Sequence, residues 1–180
     1  MAAKKAGAKA TQKTLESSAI AGISSVGTDA RIIPGIEGVV SGGSSKKLGE
    51  NMMESMGLKR STKWTGYEAQ HIIPTQMKKH PVLQKMGMDL DDATNGMFLR
   101  KPGKDVSTKS RHSGYHSVYN KFVEGKLDEI DINQNSIDIQ NQVFELQRKL
   151  QKLQERGLPM YKKDNNSTID LWQKNFDNLN

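Results

Sequence analysis

Short runs of apolar residues predict one helix and two strands in the middle of the chain. The helix is predicted to end at Gly57, and its apolar positions are Leu48, Met52, Met53, Met56 and Leu58. Residues 69–74 read Ala-Gln-His-Ile-Ile-Pro, which predicts a strand, because two β-branched residues precede a proline that must end it. A second strand is expected over residues 97–100, directly after Asn95-Gly96, a dipeptide typical of hairpin turns.

Helical spacing returns further along the chain. Residues 76–86 predict a short helix interrupted near Pro81, and residues 111–124 predict another. A longer row of apolar residues follows at spacings of four, three, four and three. We call it the leucine seam, and it consists of Ile139, Val143, Leu146, Leu150 and Leu153. The seam spans only about two heptads, so a short coiled coil and a helix folded back onto the core both fit it, and the second is favoured.

Composition divides the chain into three parts. Residues 1–45 lack aromatic residues and are rich in Ala, Gly, Ser and Lys, which predicts a flexible arm or linker, although Ile32-Ile33-Pro34 and Val39-Val40 allow partial docking. Residues 46–130 are expected to form the folded core. Residues 131–180 are expected to form a C-terminal helix and tail packed on that core, with Leu171, Trp172 and Phe176 as anchors. The predicted class is α+β and mostly helical, a small β-hairpin and a helix with further helices around them.

Charge and cysteine usage narrow the chemistry. The 180 residues contain 27 Lys and Arg against 20 Asp and Glu, a formal net charge of +7, which favours a polyanionic partner, either nucleic acid or an acidic protein. With no cysteine, disulfides, cysteine nucleophiles and cysteine zinc sites are excluded. No apolar run approaches the roughly 18 residues of a membrane span, and no signal peptide is recognisable.

Three of the four histidines stand in a suggestive order. His71 lies at a predicted strand end, Asn95 precedes the second strand, and His112 and His116 are four residues apart on a predicted helix. Neutral imidazoles at that spacing can bind one divalent cation from a single helix face. A strand pair packed against a helix, with catalytic groups on all three, is therefore a candidate active centre. His80 fits no part of this order and is predicted to lie on the surface.

These motifs resemble those of a known nuclease superfamily. Residues 69–74, then Asn95-Gly96-Met97-Phe98-Leu99, then residues 112–120 (His-Ser-Gly-Tyr-His-Ser-Val-Tyr-Asn) are similar to the HNH/endonuclease VII superfamily, in its Ala-His-His (AHH) branch of polymorphic-toxin nuclease domains. The resemblance covers roughly residues 48–130. It implies a ββα-metal core, with His71 as general base, Asn95 as a brace for the loop that carries it, and His112 and His116 as ligands of one divalent metal ion.

One position departs from the family motif. The name-giving triplet is Ala-His-His, whereas this chain has Ala69-Gln70-His71, so the base is retained and Gln70 stands where relatives commonly have a metal ligand. An amide oxygen is a harder donor than imidazole, so a site that includes Gln70 favours Mg²⁺ or Mn²⁺, with Zn²⁺ or Ni²⁺ as alternatives. Alternatively Gln70 does not bind the ion, and His112 and His116 hold it together with water and the substrate phosphate.

The resemblance implies metal-dependent hydrolysis of phosphodiester bonds that leaves 5′-phosphates. Ten basic residues around the motifs are candidate contacts to the nucleic-acid backbone, with salt-sensitive binding of little sequence specificity: Lys59, Arg60, Lys63, Lys78, Lys79, Arg100, Lys101, Lys104, Lys109 and Arg111.

The leading hypothesis is a DNA endonuclease that acts as an antibacterial toxin effector in interbacterial competition. It is expected to be secreted without a classical signal peptide, through secretion machinery or an upstream delivery domain, and to act in the cytoplasm of the target cell. A cognate acidic immunity protein is the expected partner besides DNA. One alternative is an RNase with the same fold and active site. The other is a non-catalytic module that binds nucleic acid or protein and keeps a decayed nuclease site.

Overall fold

The computed structural model describes Leu15 and residues 31–103, 107–112, 115–161 and 166–179. Within these residues the chain forms four short strands, five α-helices and two short 3₁₀ helices. In order they are β1 (Val40–Ser41), α1 (Ser45–Ser55), β2 (Tyr67–His71), a 3₁₀ helix (Thr75–Lys79), α2 (Pro81–Met86), β3 (Met88–Asp89), a 3₁₀ helix (Ala93–Asn95), β4 (Gly96–Arg100), α3 (Ser117–Asp128), α4 (Ser136–Glu155) and α5 (Ile169–Asp177). The α+β prediction is confirmed, and the arrangement is consistent with a ββα-type core.

β2 and β4 form the antiparallel pair that carries the candidate site. The register pairs Tyr67 with Arg100 and His71 with Gly96, so His71 lies at the end of the ladder. The two predicted strands are confirmed, but the hairpin turn at Asn95-Gly96 is wrong. Residues 72–95 connect the strands through two helical segments and β3, and Asn95 closes a 3₁₀ helix that the Asp92 side chain caps by accepting the Thr94 N–H.

The β2–β4 pair separates two apolar clusters, because successive side chains of a strand point to opposite faces. Phe98 lies in a smaller cluster with α1, whereas Met97 and Leu99 lie in the main core. The smaller cluster consists of Leu15, Leu48, Met52, Met53, Tyr67, Ala69 and Phe98. The predicted helix ending at Gly57 is confirmed as α1, which begins after the N-cap Ser44 and ends before Gly57, where φ is +73°.

The helix predicted over residues 111–124 begins later than expected. It starts at Ser117, with His116 as its N-cap, and ends at Asp128, so the prediction that His112 and His116 share a helix is wrong. The backbone N–H of His112 donates to the carbonyl of Arg100 at 2.9 Å. That bond holds His112 beside the end of β4.

The C-terminal third folds back onto the core, which confirms the favoured interpretation of the leucine seam. All five seam residues of α4 are buried in the main cluster: Ile139, Val143, Leu146, Leu150 and Leu153. The tail adds α5, whose Trp172 is fully buried with its ring centroid 5.0 Å from that of Tyr119 and 5.6 Å from that of Phe122. Trp172 is thus the anchor that the sequence predicted for this segment.

Part of the predicted N-terminal arm contacts the core. Val40 and Ser41 pair in parallel with Met88 and Asp89 of β3, and Ile33 is 1% exposed. Residues 31–44 therefore dock against the domain, as the apolar stretches in this segment allowed. Residues 1–14 and 16–30 lie outside the described part of the chain. Within the described residues no helix is both long and apolar enough to span a membrane.

Candidate active site

His71 closes β2 and is bound to a carboxylate that lies twenty positions along the chain. Its Nε2 lies 3.0 Å from Oδ1 of Asp91, and each side chain is 6% exposed. An ionised carboxylate can only accept hydrogen bonds, so a neutral His71 ring carries its proton on Nε2. The free lone pair is then on Nδ1, which is the atom able to accept a proton.

Asp91 is held in place by backbone donors from the segment before α1. The same Oδ1 accepts the N–H groups of Gly43 and Ser44 at 2.7 Å each, and the backbone carbonyl of Asp91 accepts Nδ2 of Asn51 at 2.7 Å. Burial opposes ionisation of Asp91 and is the largest single influence on its pKa. The hydrogen bonds from His71, Gly43 and Ser44 nevertheless leave that pKa below its usual value. Asp91 is therefore a carboxylate at neutral pH.

The pKa of His71 is lowered as well. Burial is the main cause, and the hydrogen bond and charge of Asp91 offset it only in part. The ring is consequently neutral at pH 7 and able to act as a base, with Asp91 ready to stabilise the imidazolium that protonation would form.

Asn95 holds the backbone that follows His71. Its Oδ1 accepts the Ile73 N–H at 2.8 Å, and its Nδ2 donates to the carbonyls of Ile73 at 3.2 Å and Leu90 at 3.0 Å. Its own carbonyl accepts the Ile72 N–H at 2.8 Å. Asn95 is fully buried, so its contribution is to the position of the chain next to His71.

His112 and His116 converge although only His116 touches a helix. Their Nε2 atoms are 3.2 Å apart, and the rings meet edge to face with centroids 4.8 Å apart. Burial is the main cause of the lowered pKa of each ring, and for His116 the pKa falls to about 4, with the charge of His112 as a further cause. Both imidazoles are therefore neutral at pH 7, the state required of a metal ligand.

The spacing of these two nitrogens fits a shared divalent ion. Imidazole nitrogens bind such an ion at about 2.0–2.1 Å, so two of them are about 2.8–3.0 Å apart at octahedral angles and about 3.3–3.4 Å apart at tetrahedral angles. The observed separation of 3.2 Å lies between these values. Among the residues that the structure describes, no group of three or more His, Asp or Glu side chains could hold a metal ion. A bound ion would therefore complete its coordination with water, with the substrate or with a neutral oxygen donor.

His71 is connected to the segment that carries His116. The hydroxyl of Tyr119, three residues after His116, donates to the carbonyl of Ile72, the residue after His71. The start of α3 therefore lies against the end of β2, and the ring of His116 contacts that of His112, so the structure links the three segments whose histidines the sequence singled out.

A family comparison bears on the same stretch of chain. A family model described as "a nuclease family of the HNH/ENDO VII superfamily with conserved AHH" matches residues 51–156, more than half of the chain. The chain belongs to this AHH nuclease family. No curated protein and no solved structure matches it significantly.

Gln70 is where this AHH nuclease departs from the conserved triplet. Its side chain is buried, and its Nε2 donates to the carbonyl of His71 at 2.8 Å. The amide is thus held against the backbone of β2 by its nitrogen. Metal ligation by Gln70 stays a prediction.

Several of the predicted basic contacts of the AHH nuclease line one cleft. Arg60, Lys63 and Lys101 border a cleft of about 400 Å³ beside β2, together with Lys46 and the ring of Trp64. Three of these four cations have carboxylate partners: Lys46 lies 4.0 Å from Glu50, Arg60 lies 2.8 Å from Glu54, and Lys101 lies 2.6 Å from Glu68. Lys63 has the most open position of the four for a phosphate, since the structure gives it no acidic partner within the described residues.

The remaining basic candidates are spread over the surface. Lys59 and Lys79 are exposed, Lys78 donates to the carbonyl of Gly42 at 3.0 Å, and Lys104 lies outside the described residues. Arg100 stacks over the Tyr67 ring, while Lys109 and Arg111 lie partly buried in the loop before His112.

His80 is not the solvated residue that the sequence predicted. Its Nε2 lies 3.0 Å from Asp128, and its Nδ1 accepts the Val82 N–H, so it caps α2 and joins that helix to α3. Both ring nitrogens of His80 are engaged in these structural bonds, so His80 is not a candidate base or metal ligand.

Sequence reasoning missed Asp91. The residue lies between two motif segments in a stretch that holds two other aspartates, so its residue type alone does not single it out. Its pairing with His71 depends on how the connection between the strands folds back against the end of β2, which no local pattern in the sequence reports.

Proposed function

We propose that this AHH nuclease is a metal-dependent DNA endonuclease of low sequence specificity in which His71 is the general base. The observation that carries the proposal is a His71 ring bonded to Asp91, in a segment that α3 contacts through Tyr119, together with two imidazoles whose Nε2 atoms are 3.2 Å apart. A base and a metal site in one small unit are sufficient for phosphodiester hydrolysis.

In the proposed reaction His71 removes a proton from the attacking water. Nδ1 accepts the proton, because Nε2–H is engaged with Asp91. Asp91 keeps the ring in this tautomer and stabilises the imidazolium as it forms. A positioned general base of this kind contributes about 10²–10⁴-fold to the rate.

His112 and His116 would hold the divalent ion, and Gln70 is the candidate third ligand. When bound, such an ion supplies positive charge that stabilises the phosphate and the leaving oxygen. Asn95 contributes by fixing the backbone of Ile72 and Ile73 behind His71.

The basic cleft beside β2 is the proposed path of the nucleic-acid backbone. Lys63 and Lys101 would contact phosphates there, which makes binding dependent on salt and largely independent of sequence. The alternative is that the same active site cleaves RNA. Competition between unlabelled RNA and labelled DNA separates the two.

We further propose that the protein is an antibacterial toxin that is delivered from the producing cell and acts in the cytoplasm of the target cell. Support comes from the similarity of its motifs to polymorphic-toxin nucleases and from a net charge of +7. Such a toxin requires an immunity protein, and an acidic one would associate rapidly with the basic cleft. Co-expression of a small acidic protein encoded directly downstream should abolish both toxicity and cleavage, whereas unrelieved cleavage would exclude that protein as the partner.

Plasmid cleavage tests the enzymatic proposal. Supercoiled DNA is incubated with the protein in Mg²⁺, Mn²⁺, Zn²⁺ or Ni²⁺, each with and without EDTA. Nicked and linear products that ligate directly, as 5′-phosphates do, are expected in at least one metal and should disappear with EDTA. His116→Ala should be inactive, whereas His80→Asn, which keeps a side chain able to cap α2, should match the wild type. Intact plasmid under every metal would contradict the proposal.

A further inference from the structure

The buried face of α4 carries an unusual number of amides. Gln140, Gln147, Gln151 and Gln154 are all at most 6% exposed, alongside the leucine seam that packs on the core. A buried amide is destabilising unless its donors and acceptors find partners. The partners of two of these glutamines lead directly to the candidate active site.

Gln147 contacts the segment that ends in Asn95. Its Nε2 donates to Oδ1 of Asn95 at 2.9 Å and to the carbonyl of Thr94 at 3.3 Å. The same Oδ1 accepts the Ile73 N–H. Gln147 therefore fixes the orientation of the Asn95 amide, and through it the backbone two residues after His71.

Gln154 lies seven residues further along, on the same face of the helix. Its Nε2 donates to the Tyr119 hydroxyl at 2.8 Å, and that hydroxyl donates to the carbonyl of Ile72. Its backbone carbonyl accepts the Ser110 N–H at 2.8 Å. Ser110 precedes His112 by two residues and Tyr119 follows His116 by three, so Gln154 is linked to all three histidine segments.

We propose that Gln147 and Gln154 are positioning residues that set the register of His71 relative to His112 and His116. The proposal rests on the proposed function and extends it to α4, which contributes no group to the reaction itself. Each glutamine acts through an intermediate side chain, Asn95 in one case and Tyr119 in the other, and both chains of hydrogen bonds end at Ile72 and Ile73.

The expected effect follows from the tolerance of catalytic geometry. A displacement of about 1 Å in a reacting group can cost about 10²-fold in rate. Loss of one hydrogen-bonded brace among several should shift His71 by less, so a decrease in kcat of about tenfold is expected. KM should change little, because neither glutamine borders the basic cleft.

Gln147→Met and Gln154→Met test the proposal, with Gln140→Met as the matched control. Gln140 is on the same buried face, 4% exposed, and its Oε1 has no hydrogen-bond partner among the described residues. All three substitutions remove a buried amide and keep an unbranched side chain of similar length. Tyr119→Phe tests the Gln154 chain a second time, since it removes the hydroxyl and leaves the ring in place.

Two measurements separate positioning from a general loss of stability. Gln147→Met should lower kcat about tenfold in the wild type and have no further effect in a His71→Ala background, because it acts through His71. Amide hydrogen exchange at Ile73 should accelerate in Gln147→Met and stay unchanged in Gln140→Met.

Any of three results would overturn the proposal. They are a loss of kcat in Gln140→Met equal to that in Gln147→Met, the same loss from Gln147→Met in the wild type and in the His71→Ala background, or unchanged amide exchange at Ile73 in Gln147→Met. Exchange is measured whether or not the protein cleaves DNA. A wild type without nuclease activity would therefore remove the proposed function, and the exchange result would still decide whether the glutamines brace this segment.

Discussion

His71 and Asp91 form a buried acid–base pair, with Nε2 3.0 Å from Oδ1, that links the end of β2 to the segment after β3. Because Gly43 and Ser44 donate to the same oxygen, the carboxylate cannot rotate away from the ring without losing two further hydrogen bonds. The pair therefore fixes both the tautomer and the orientation of the proposed base.

Asp91→Asn should lower kcat by about 10²–10⁴-fold, the range of a positioned general base, with little change in KM. The amide removes the charge that stabilises the imidazolium, and its nitrogen can donate to Nε2 and so favour the wrong tautomer. Steady-state kinetics on plasmid DNA measure the effect. Asp92→Asn is the matched control, because Asp92 caps the 3₁₀ helix through Thr94 and does not contact His71. Equal activity of Asp91→Asn and the wild type would show that the pair is dispensable.

Gln70→His should restore the family triplet and change the metal preference. If Gln70 lies at the ion, an imidazole there strengthens Zn²⁺ binding by about tenfold or more and shifts the preference from Mg²⁺ toward Zn²⁺. Isothermal titration calorimetry with each metal checks this, with Gln70→Ala as the companion variant. Unchanged affinities in both variants would leave His112 and His116 as the protein ligands and exclude position 70.

The local parts of the site could be predicted from the sequence, and their connections could not. The strands, the helix ending at Gly57 and the inward face of α4 follow from spacing and from Pro and Gly signals, which act over a few residues. The start of α3 was misjudged because helical spacing carries no information on tertiary contacts, such as the bond from the His112 N–H to Arg100 that places this residue beside β4. Asp91, Gln147 and Gln154 were missed for the same reason, since each partner is at least twenty positions away in the chain.

Stability should fall as the pH is lowered from 7 to about 4.5. The pKa values of His71, His112 and His116 are all lowered in the folded protein, that of His116 to about 4, whereas in the unfolded chain they titrate near 6.5. The unfolded chain therefore binds more protons below about pH 6.5, and protonation favours unfolding. The lowered pKa of Asp91 acts in the same direction at still lower pH.

Thermal unfolding in EDTA measures this dependence, and a decrease in Tm of roughly 5 °C or more is expected over the range. His116→Gln should flatten the curve, because it removes the histidine whose pKa falls to about 4 in the folded protein. A Tm that is constant or rises toward pH 4.5 would contradict the assignment of neutral histidines.

Gly87→Ala should destabilise the protein much more than Gly57→Ala. Both glycines have positive φ, +71° and +73°, so both substitutions incur the backbone strain of about 1–2 kcal/mol. A Cβ at position 87 would lie 1.8 Å from the Ile36 carbonyl oxygen, whereas one at position 57 meets nothing within 4 Å. Urea unfolding should show at least about 2 kcal/mol more loss for Gly87→Ala. Equal losses would mean that the Ile36 segment does not dock on α2.

The central claim is that the His71 ring performs the proton transfer at a site where His112 and His116 bind the metal. Single-turnover cleavage at saturating DNA, with bound DNA and bound metal measured in the same samples, tests it most directly. We predict that His71→Ala binds both as tightly as the wild type and cleaves at least about 10²-fold more slowly, while His80→Asn cleaves normally. Cleavage by His71→Ala at the wild-type rate would contradict the account.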